Sequence, residues 1–168
     1  MKHSSLILLA ATVLAAGCTS APFVTVPATL QPPPTATLSR VVPARGVQIY
    51  ECRMQKTAAQ WSFVAPEAEL FDLKGRPIGS HGAGPIWQAA DGSRIVGTLQ
   101  ARAEAPQEGA IPWLLLSSKS SGPQGTFSPV THIQRVNTVG GIPPSGACTP
   151  GATARVAYTA DYVFFTNR

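Results

Sequence analysis

The chain has 168 residues, of which 13 are Lys or Arg and 8 are Asp or Glu, so its formal net charge at pH 7 is +5. This length suits one domain with its own core, and the charged fraction of 12% is low for a globular protein. The basic residues are scattered, which argues against nucleic acid as a partner. The Cys and His residues show no spacing typical of a zinc or haem site, so we expect no metal and no cofactor.

The N-terminal residues are typical of a secretory signal. A positive charge precedes an uncharged run from Leu6 to Ala16, which is shorter than the ~20 residues of a membrane-spanning helix. Residues 14–18 read Leu-Ala-Ala-Gly-Cys and resemble the lipobox of bacterial lipoproteins. The resemblance implies cleavage after residue 17 and a lipid on Cys18, and Thr19 in place of Asp indicates the outer membrane. The alternative is an ordinary signal that ends near a cysteine by chance.

Two further cysteines, Cys52 and Cys148, form an even pair. In an exported protein the compartment is oxidising, so the pair predicts a disulfide. A closed loop near 100 residues would stabilise the fold by about 4–5 kcal/mol in the entropic model. The alternative is two buried thiols that do not meet.

Residues 18–42 are rich in proline, with Thr, Ala and Val between the prolines. Such a stretch favours extended conformations and excludes a helix. We therefore predict three segments: a signal peptide at 1–17, an extended tether at 18–42 and a single β domain at 43–168. The tether is expected to hold the domain away from the lipid surface.

From position 45 onward, short runs rich in β-branched and aromatic residues alternate with turn residues. Tight turns are expected at Asp72–Gly75 and at Asp91-Gly92. No apolar stripe of helix length follows the signal, so the sequence predicts an all-β fold, an antiparallel β-sandwich or a closed barrel. The predicted strands are Gly46–Met54, Trp61–Val64, Glu69–Leu73, Ile86–Gln88, Ser93–Arg102, Ile111–Ser117, Phe127–Thr138 and Arg155–Thr166.

The last run, Arg155–Thr166, is apolar on both faces and is expected to be a strand covered on both sides. Asp161 lies within this run, and an internal carboxylate requires a polar partner. Arg135 and Arg155 are the natural candidates, so we predict a buried ion pair.

Several uncommon strings resemble, in order and spacing, a bacterial and fungal family, the domain of unknown function numbered 3455. The resemblance covers about residues 42–166 and implies a single domain with a shared fold. It implies no activity. One local departure is Gly82, where the family usually has an aromatic residue. The strings are Gly46–Cys52, Trp61-Ser62-Phe63, Ala65–Asp72, His81, Ala83–Trp87, Asp91-Gly92-Ser93, Ile111–Leu115, Gln134–Gly141 and Tyr158–Tyr162.

The segment 79–94 is the richest in groups that bind ligands, because its closely spaced glycines let a backbone approach a bound molecule. The alternative is a plain hairpin in which the tryptophan belongs to the core and the histidine is a satisfied or surface residue. The candidate ligand-binding residues are His81, Gly84, Trp87, Asp91 and Trp113.

These features predict a lipid-anchored envelope protein whose domain binds a small molecule, a glycan or a protein partner without catalysis. The alternative is an envelope hydrolase or oxidoreductase with a site around His81, Trp87 and Asp91. The sequence carries no Gly-x-Ser-x-Gly nucleophile motif and no dinucleotide-binding glycine motif. A purely structural lipoprotein is a third reading.

Overall fold

A computed structural model of the chain describes residues 24–167. The predicted signal peptide and Cys18 therefore lie outside the described residues. The described part consists of one short 3-10 helix and eight β-strands. The strands are β1 Ala36–Gln55, β2 Ala58–Phe71, β3 Pro77–Gly82, β4 Ile86–Ala89, β5 Arg94–Ala103, β6 Trp113–Ser120, β7 Val130–Gly140 and β8 Thr153–Asn167.

The eight strands form one closed antiparallel barrel in sequence order. Each strand pairs with the next one along the chain, and β8 closes the ring by pairing with β1 from Ala36↔Asn167 to Glu51↔Thr153. Closure leaves no strand edge free to pair with another chain. The prediction of an all-β, sandwich- or barrel-like domain is confirmed.

Alternate side chains of each strand point into the barrel, as the two-residue period of a strand requires. An eight-stranded barrel has an interior that side chains can largely fill. The main interior cluster consists of Val42, Ala44, Leu70, Trp87, Ala89, Ile95, Leu116, Phe127, Val130, Ile133, Tyr162 and Phe164.

The barrel has two ends. Because consecutive strands run in opposite directions, the connections between them lie alternately at one end and at the other. We call one end the closed end, and its connections are the loops 72–76, 90–93 and 121–129. We call the other the pocket end, and its connections are 56–57, 83–85, 104–112 and 141–152.

The closed end is plugged by Phe127, which enters the barrel from the 121–129 loop. Its side chain is fully buried, and its ring meets that of Phe164 edge-on at 5.1 Å between centroids. Asp91 fixes this loop by accepting hydrogen bonds from the backbone N–H and the hydroxyl of Thr126, at 2.8 and 2.6 Å. The Phe127 N–H donates to the Ser93 hydroxyl at 3.0 Å. The plug and the hairpin therefore hold one another in place.

Much of the predicted tether packs on the barrel. The 3-10 helix Ala28–Leu30 places Leu30, which is fully buried, against Trp113 and Leu115 on the outer face of the sheet. The Leu30 carbonyl accepts a 2.7 Å hydrogen bond from Nε2 of Gln134. β1 then begins at Ala36, inside the segment predicted to be a tether. The proline pattern predicted an extended segment without a helix, whereas the structure has a 3-10 helix at Ala28–Leu30 and packs Leu30 on the barrel.

The predicted disulfide is confirmed. Cys52 of β1 is bonded to Cys148 of the 141–152 loop, with 5.9 Å between their Cα atoms and a sequence separation of 96. Backbone hydrogen bonds add to it, because the Cys52 N–H donates to Ala152 and the Gly151 N–H donates to Cys52. The longest loop of the pocket end is thus fastened to the barrel wall.

Most predicted strands are present, with three further differences. Two predicted runs join into the single strand β2, since the pairing with β1 continues through Ala65 and Pro66 with one register shift. β3, Pro77–Gly82, lies where no strand was predicted. β7 begins at Val130 rather than at Phe127, which lies in the preceding loop. The turns at Asp72–Gly75 and Asp91-Gly92 are confirmed, and Gly75 and Gly92 have φ angles of +77° and +84°.

Candidate functional site

A pocket of about 370 Å³ opens at the pocket end of the barrel. Four other hollows, of about 430 to 600 Å³, lie on outer strand faces and among loops. The barrel-end pocket differs from them because it reaches the aromatic side chains of the interior. Its lining is Phe63, Val64, Pro66, His81, Gly84, Pro85, Trp87, Gly97, Leu99, Leu114, Leu116, Arg135 and Tyr162.

Three aromatic rings in contact with one another form the inner wall of the pocket. His81 and Trp87 face each other across β3 and β4, with ring centroids 4.2 Å apart and planes 14° from parallel. The ring of Tyr162 meets both of them edge-on, at 5.0 and 5.3 Å. Edge-to-face and offset contacts of this kind each add about 0.5–1.5 kcal/mol beyond simple burial, so the wall is rigid.

Gly97 makes room for this wall. A Cβ atom at position 97 would lie 2.8 Å from the Trp87 ring and 3.1 Å from Leu116. The first distance is shorter than real carbon contacts allow, so only glycine lets the indole lie flat against β5. Gly97 is therefore required by the shape of the pocket.

His81 is neutral at physiological pH. Burial lowers the pKa of its ring to about 4, the hydrogen bond to Ile86 opposes this shift, and the positive charge of Arg135 adds to it. Nδ1 lies 2.8 Å from the Ile86 carbonyl oxygen, which can only accept, so Nδ1 carries the proton. Nε2 then has a lone pair and accepts hydrogen bonds.

Arg135 is the one charged residue in the lining of the pocket. It follows Ile133 at the two-residue spacing of β7 and so shares its inward face. Its Nε and Nη2 donate to the Pro112 carbonyl at 3.1 and 2.8 Å. No carboxylate of residues 24–167 pairs with it, since the ion pairs found there use other arginines.

Two buried tyrosines border the same interior. The hydroxyl groups of Tyr158 and Tyr162 are 3.2 Å apart, and the Tyr50 hydroxyl donates to the Gly141 carbonyl at 2.6 Å. Burial raises the pKa of Tyr158 and Tyr162, and the charge of Arg135 acts in the opposite direction. Both phenols are therefore neutral hydrogen-bonding groups at physiological pH.

The structure brings together three of the five predicted site residues. His81, Gly84 and Trp87 line the barrel-end pocket. Trp113 is separated from them by the barrel wall, because it faces outward and packs against Leu30. The alternative of a plain hairpin correctly places Trp87 in the core. His81 and Trp87 nevertheless also line the pocket.

Asp91 lies at the opposite end of the barrel from His81 and Trp87. It accepts hydrogen bonds from Ser93 and Thr126, in that order of effect, and these hold the pKa of its carboxyl well below the usual range. The arrangement of His81, Trp87 and Asp91 expected for an enzyme site is therefore not assembled. The three side chains are separated because β4 leads from Trp87 at the pocket end to the closed end, where Asp91 lies four residues later.

The predicted ion pair of Asp161 is wrong. Asp161 lies on the outer face of β8, where its Oδ2 accepts a 2.8 Å hydrogen bond from Asn137. Arg155 pairs instead with Glu67 at 2.8 Å. Inward and outward residues alternate along a strand, and Ala160 and Tyr162 occupy the inward positions on either side of Asp161.

Arg135 and Tyr162 line the pocket but were not among the predicted site residues. The sequence signal for Arg135 was its place two residues after Ile133 on a predicted strand. Within residues 24–167, no helix is long and apolar enough to cross a membrane. The same described part contains no group of three or more His, Cys, Asp or Glu side chains placed to hold a metal ion.

Comparison with known proteins places this barrel in a family. The family model described as a protein of unknown function, DUF3455, matches residues 32–166. The chain belongs to this family. Searches of curated proteins and of solved structures gave no match. The family match begins ten residues before the resemblance noted in the sequence, and so takes in all of β1.

Proposed function

We propose that this protein is a lipid-anchored envelope protein whose barrel binds a small organic molecule in the barrel-end pocket. The observation that carries the binding role is the pocket itself, which joins a rigid aromatic wall to an open mouth. Its volume of about 370 Å³ falls in the range of small-molecule sites. At roughly 30 Å³ per water molecule in the liquid, it has room for about a dozen heavy atoms.

The lining favours binding over catalysis. The polar side chains of the lining are His81, Arg135, Tyr162 and the indole of Trp87, and the other lining residues are apolar. The lining includes no Ser, Thr, Cys, Asp or Glu. These described residues offer neither a hydroxyl or thiol nucleophile activated by a base nor a pair of carboxylates. Apolar walls with a few fixed polar groups are typical of ligand-binding cavities.

The mouth of the pocket is also apolar. Phe63, Val64 and Leu99 are among its lining residues and are 53%, 45% and 55% exposed. Large apolar side chains that remain in water at the edge of a cavity indicate a surface that contacts another apolar body. An apolar ligand would cover part of this surface when it enters.

The lipid anchor is supported by the residues before Cys18 and by the disulfide. A bond between Cys52 and Cys148 fits an exported protein, because disulfides persist in oxidising compartments. We expect intact-mass analysis of the protein from a bacterial membrane fraction to find Cys18 at the N-terminus with lipid attached. The Cys18→Ser variant should lose the lipid and leave the membrane fraction, and its retention there without lipid would contradict the anchor.

The binding role is tested by filling the pocket. Leu114→Trp adds bulk at a lining residue, and Leu38→Trp makes the same change at an exposed position near the closed end. The full-length chain is screened by native mass spectrometry and thermal shift against small aromatic compounds. We expect wild type and Leu38→Trp to bind the same compounds and Leu114→Trp to lose them. Equal binding by all three proteins would contradict the pocket as the site.

A further inference from the structure

We propose that the barrel-end pocket selects small organic acids, with the carboxylate of the ligand bound to the guanidinium of Arg135. This inference rests on the proposed binding function and names the class of ligand. It is carried by the geometry of Arg135, by the absence of a counter-ion among the described residues and by the nature of the remaining lining.

The guanidinium of Arg135 is held in place with part of its donors free. Nε and one N–H of Nη2 point to the Pro112 carbonyl, at 3.1 and 2.8 Å. An arginine has five N–H donors in a planar fork. The bonds to Pro112 leave both N–H groups of Nη1 and one of Nη2, and the guanidinium also lies within hydrogen-bonding reach of the Tyr162 hydroxyl. These end-on donors match the two oxygens of a carboxylate.

The positive charge of Arg135 has no partner in the described part of the chain. Asp161, which the sequence predicted as a possible ion-pair partner of Arg135, accepts a hydrogen bond from Asn137 on the outer face of the barrel. A half-buried charge that lacks a counter-ion loses part of its hydration, and the hydrogen bonds to the neutral Pro112 carbonyl replace that hydration only in part. A bound anion would restore that compensation, so the site favours a negative ligand over a neutral one.

The rest of the lining sets the body of the ligand. Leu99, Leu114 and Leu116 line the pocket together with the rings of Trp87 and Tyr162. Such walls give no hydrogen bonds to a sugar or to a free inorganic ion. The expected ligand is therefore a compact apolar or aromatic body that carries one acid group.

The test uses two probes of nearly equal shape, naphthalene-2-carboxylate and the neutral naphthalene-2-carboxamide. Their affinities for the purified full-length chain are measured at pH 7 by titration calorimetry. We expect the wild type to bind the acid at least tenfold more tightly than the amide. The Arg135→Met variant should bind both equally, close to the wild-type affinity for the amide.

Two further variants separate charge, shape and folding. Arg135→Lys keeps the charge without the planar fork, so its preference for the acid should be intermediate. Arg155→Met removes an arginine from the outer surface and should keep the wild-type preference. Equal affinity of the wild type for acid and amide would overturn the acid selectivity but leave the pocket as a binding site. Binding of neither probe would overturn the acid selectivity, and only the wider compound screen would then decide the proposed function.

Discussion

The two ends of the barrel differ in how completely their polar groups are hydrogen-bonded. At the closed end, Asp91 accepts four hydrogen bonds, two from Ser93 and two from Thr126, and Phe127 fills the space behind them. At the pocket end, Arg135 donates to the Pro112 carbonyl and keeps further N–H donors. Buried polar groups are normally paired, so these spare donors support the ligand site proposed at this end.

The comparison also separates two ways of holding a loop. The 121–129 loop is fixed by packing and hydrogen bonds, whereas the 141–152 loop is fixed by the disulfide and two backbone hydrogen bonds. The long loop of the pocket end is therefore held mainly by a covalent bond, whereas the long loop of the closed end is held by the buried Phe127 and by hydrogen bonds.

The largest effect is expected from removing the disulfide. The double variant Cys52→Ser, Cys148→Ser should lower the free energy of unfolding by about 4–5 kcal/mol in the entropic model for a loop of this length. Urea unfolding of the full chain measures it. Cys18→Ser serves as the control and should unfold like wild type. A loss below about 1 kcal/mol would show that packing alone holds the pocket end.

Phe127→Ala tests the closed end in the same way. Deleting a buried phenylalanine leaves a cavity and should cost about 3–5 kcal/mol of stability. Leu73→Ala at the same end removes a side chain that is 78% exposed, and should change stability by no more than about 0.5 kcal/mol. Similar losses in both variants, measured by urea unfolding, would contradict the role of Phe127 as the plug.

The buried His81 makes the pocket end sensitive to acid. Its pKa is about 4 in the folded barrel and about 6.5 in the unfolded chain, so the unfolded state binds the proton first as the pH falls. The stability that depends on neutral His81 is fully present above pH 6.5 and is lost between pH 6.5 and 4, by up to about 3 kcal/mol.

The measurement for His81 is the free energy of unfolding at several pH values between 7 and 4. The His81→Gln variant should lose most of this slope, because its amide does not titrate. His132→Gln is the matched control, since burial also lowers the pKa of His132 but that side chain is only half-buried. An unchanged slope in His81→Gln would assign the pH dependence to carboxylates instead.

The smallest effect is expected from Asp91→Asn. An amide can keep the bonds from Ser93 through its oxygen, but its N–H₂ group cannot accept those from Thr126. We expect a loss of stability smaller than that of Phe127→Ala, with faster hydrogen exchange at the amides of Thr126 and Phe127. Ligand affinity at the pocket end should not change. A variant that lost affinity without faster exchange would move Asp91 into the binding site.

The strands and turns were predictable because they depend on local patterns. The alternation of residues in β8 and the Asp91-Gly92 turn are each determined by a few neighbouring residues. The disulfide was predictable because an even pair of cysteines is expected to be oxidised in an exported protein. β3 escaped prediction since its sequence, Pro-Ile-Gly-Ser-His-Gly, is poor in strand-forming residues. It is a strand because it pairs with β2 and β4, which is a tertiary effect.

The site was only partly predictable for a similar reason. His81 and Trp87 lie six residues apart, so one hairpin brings them together. Arg135 comes from β7 and Tyr162 from β8, and only closure of the barrel places them beside that hairpin. Asp91, although close to Trp87 in sequence, is carried to the other end by the strand between them.

The packing of the N-terminal segment also sets the reach of the proposed anchor. Val24 borders the same hollow as Pro106 and Gln107, which belong to a loop of the pocket end. From Cys18 to Val24 there are six residue steps, which span at most about 20 Å when fully extended. A lipid on Cys18 would therefore keep Val24, and with it this side of the pocket end, within about 20 Å of the membrane surface.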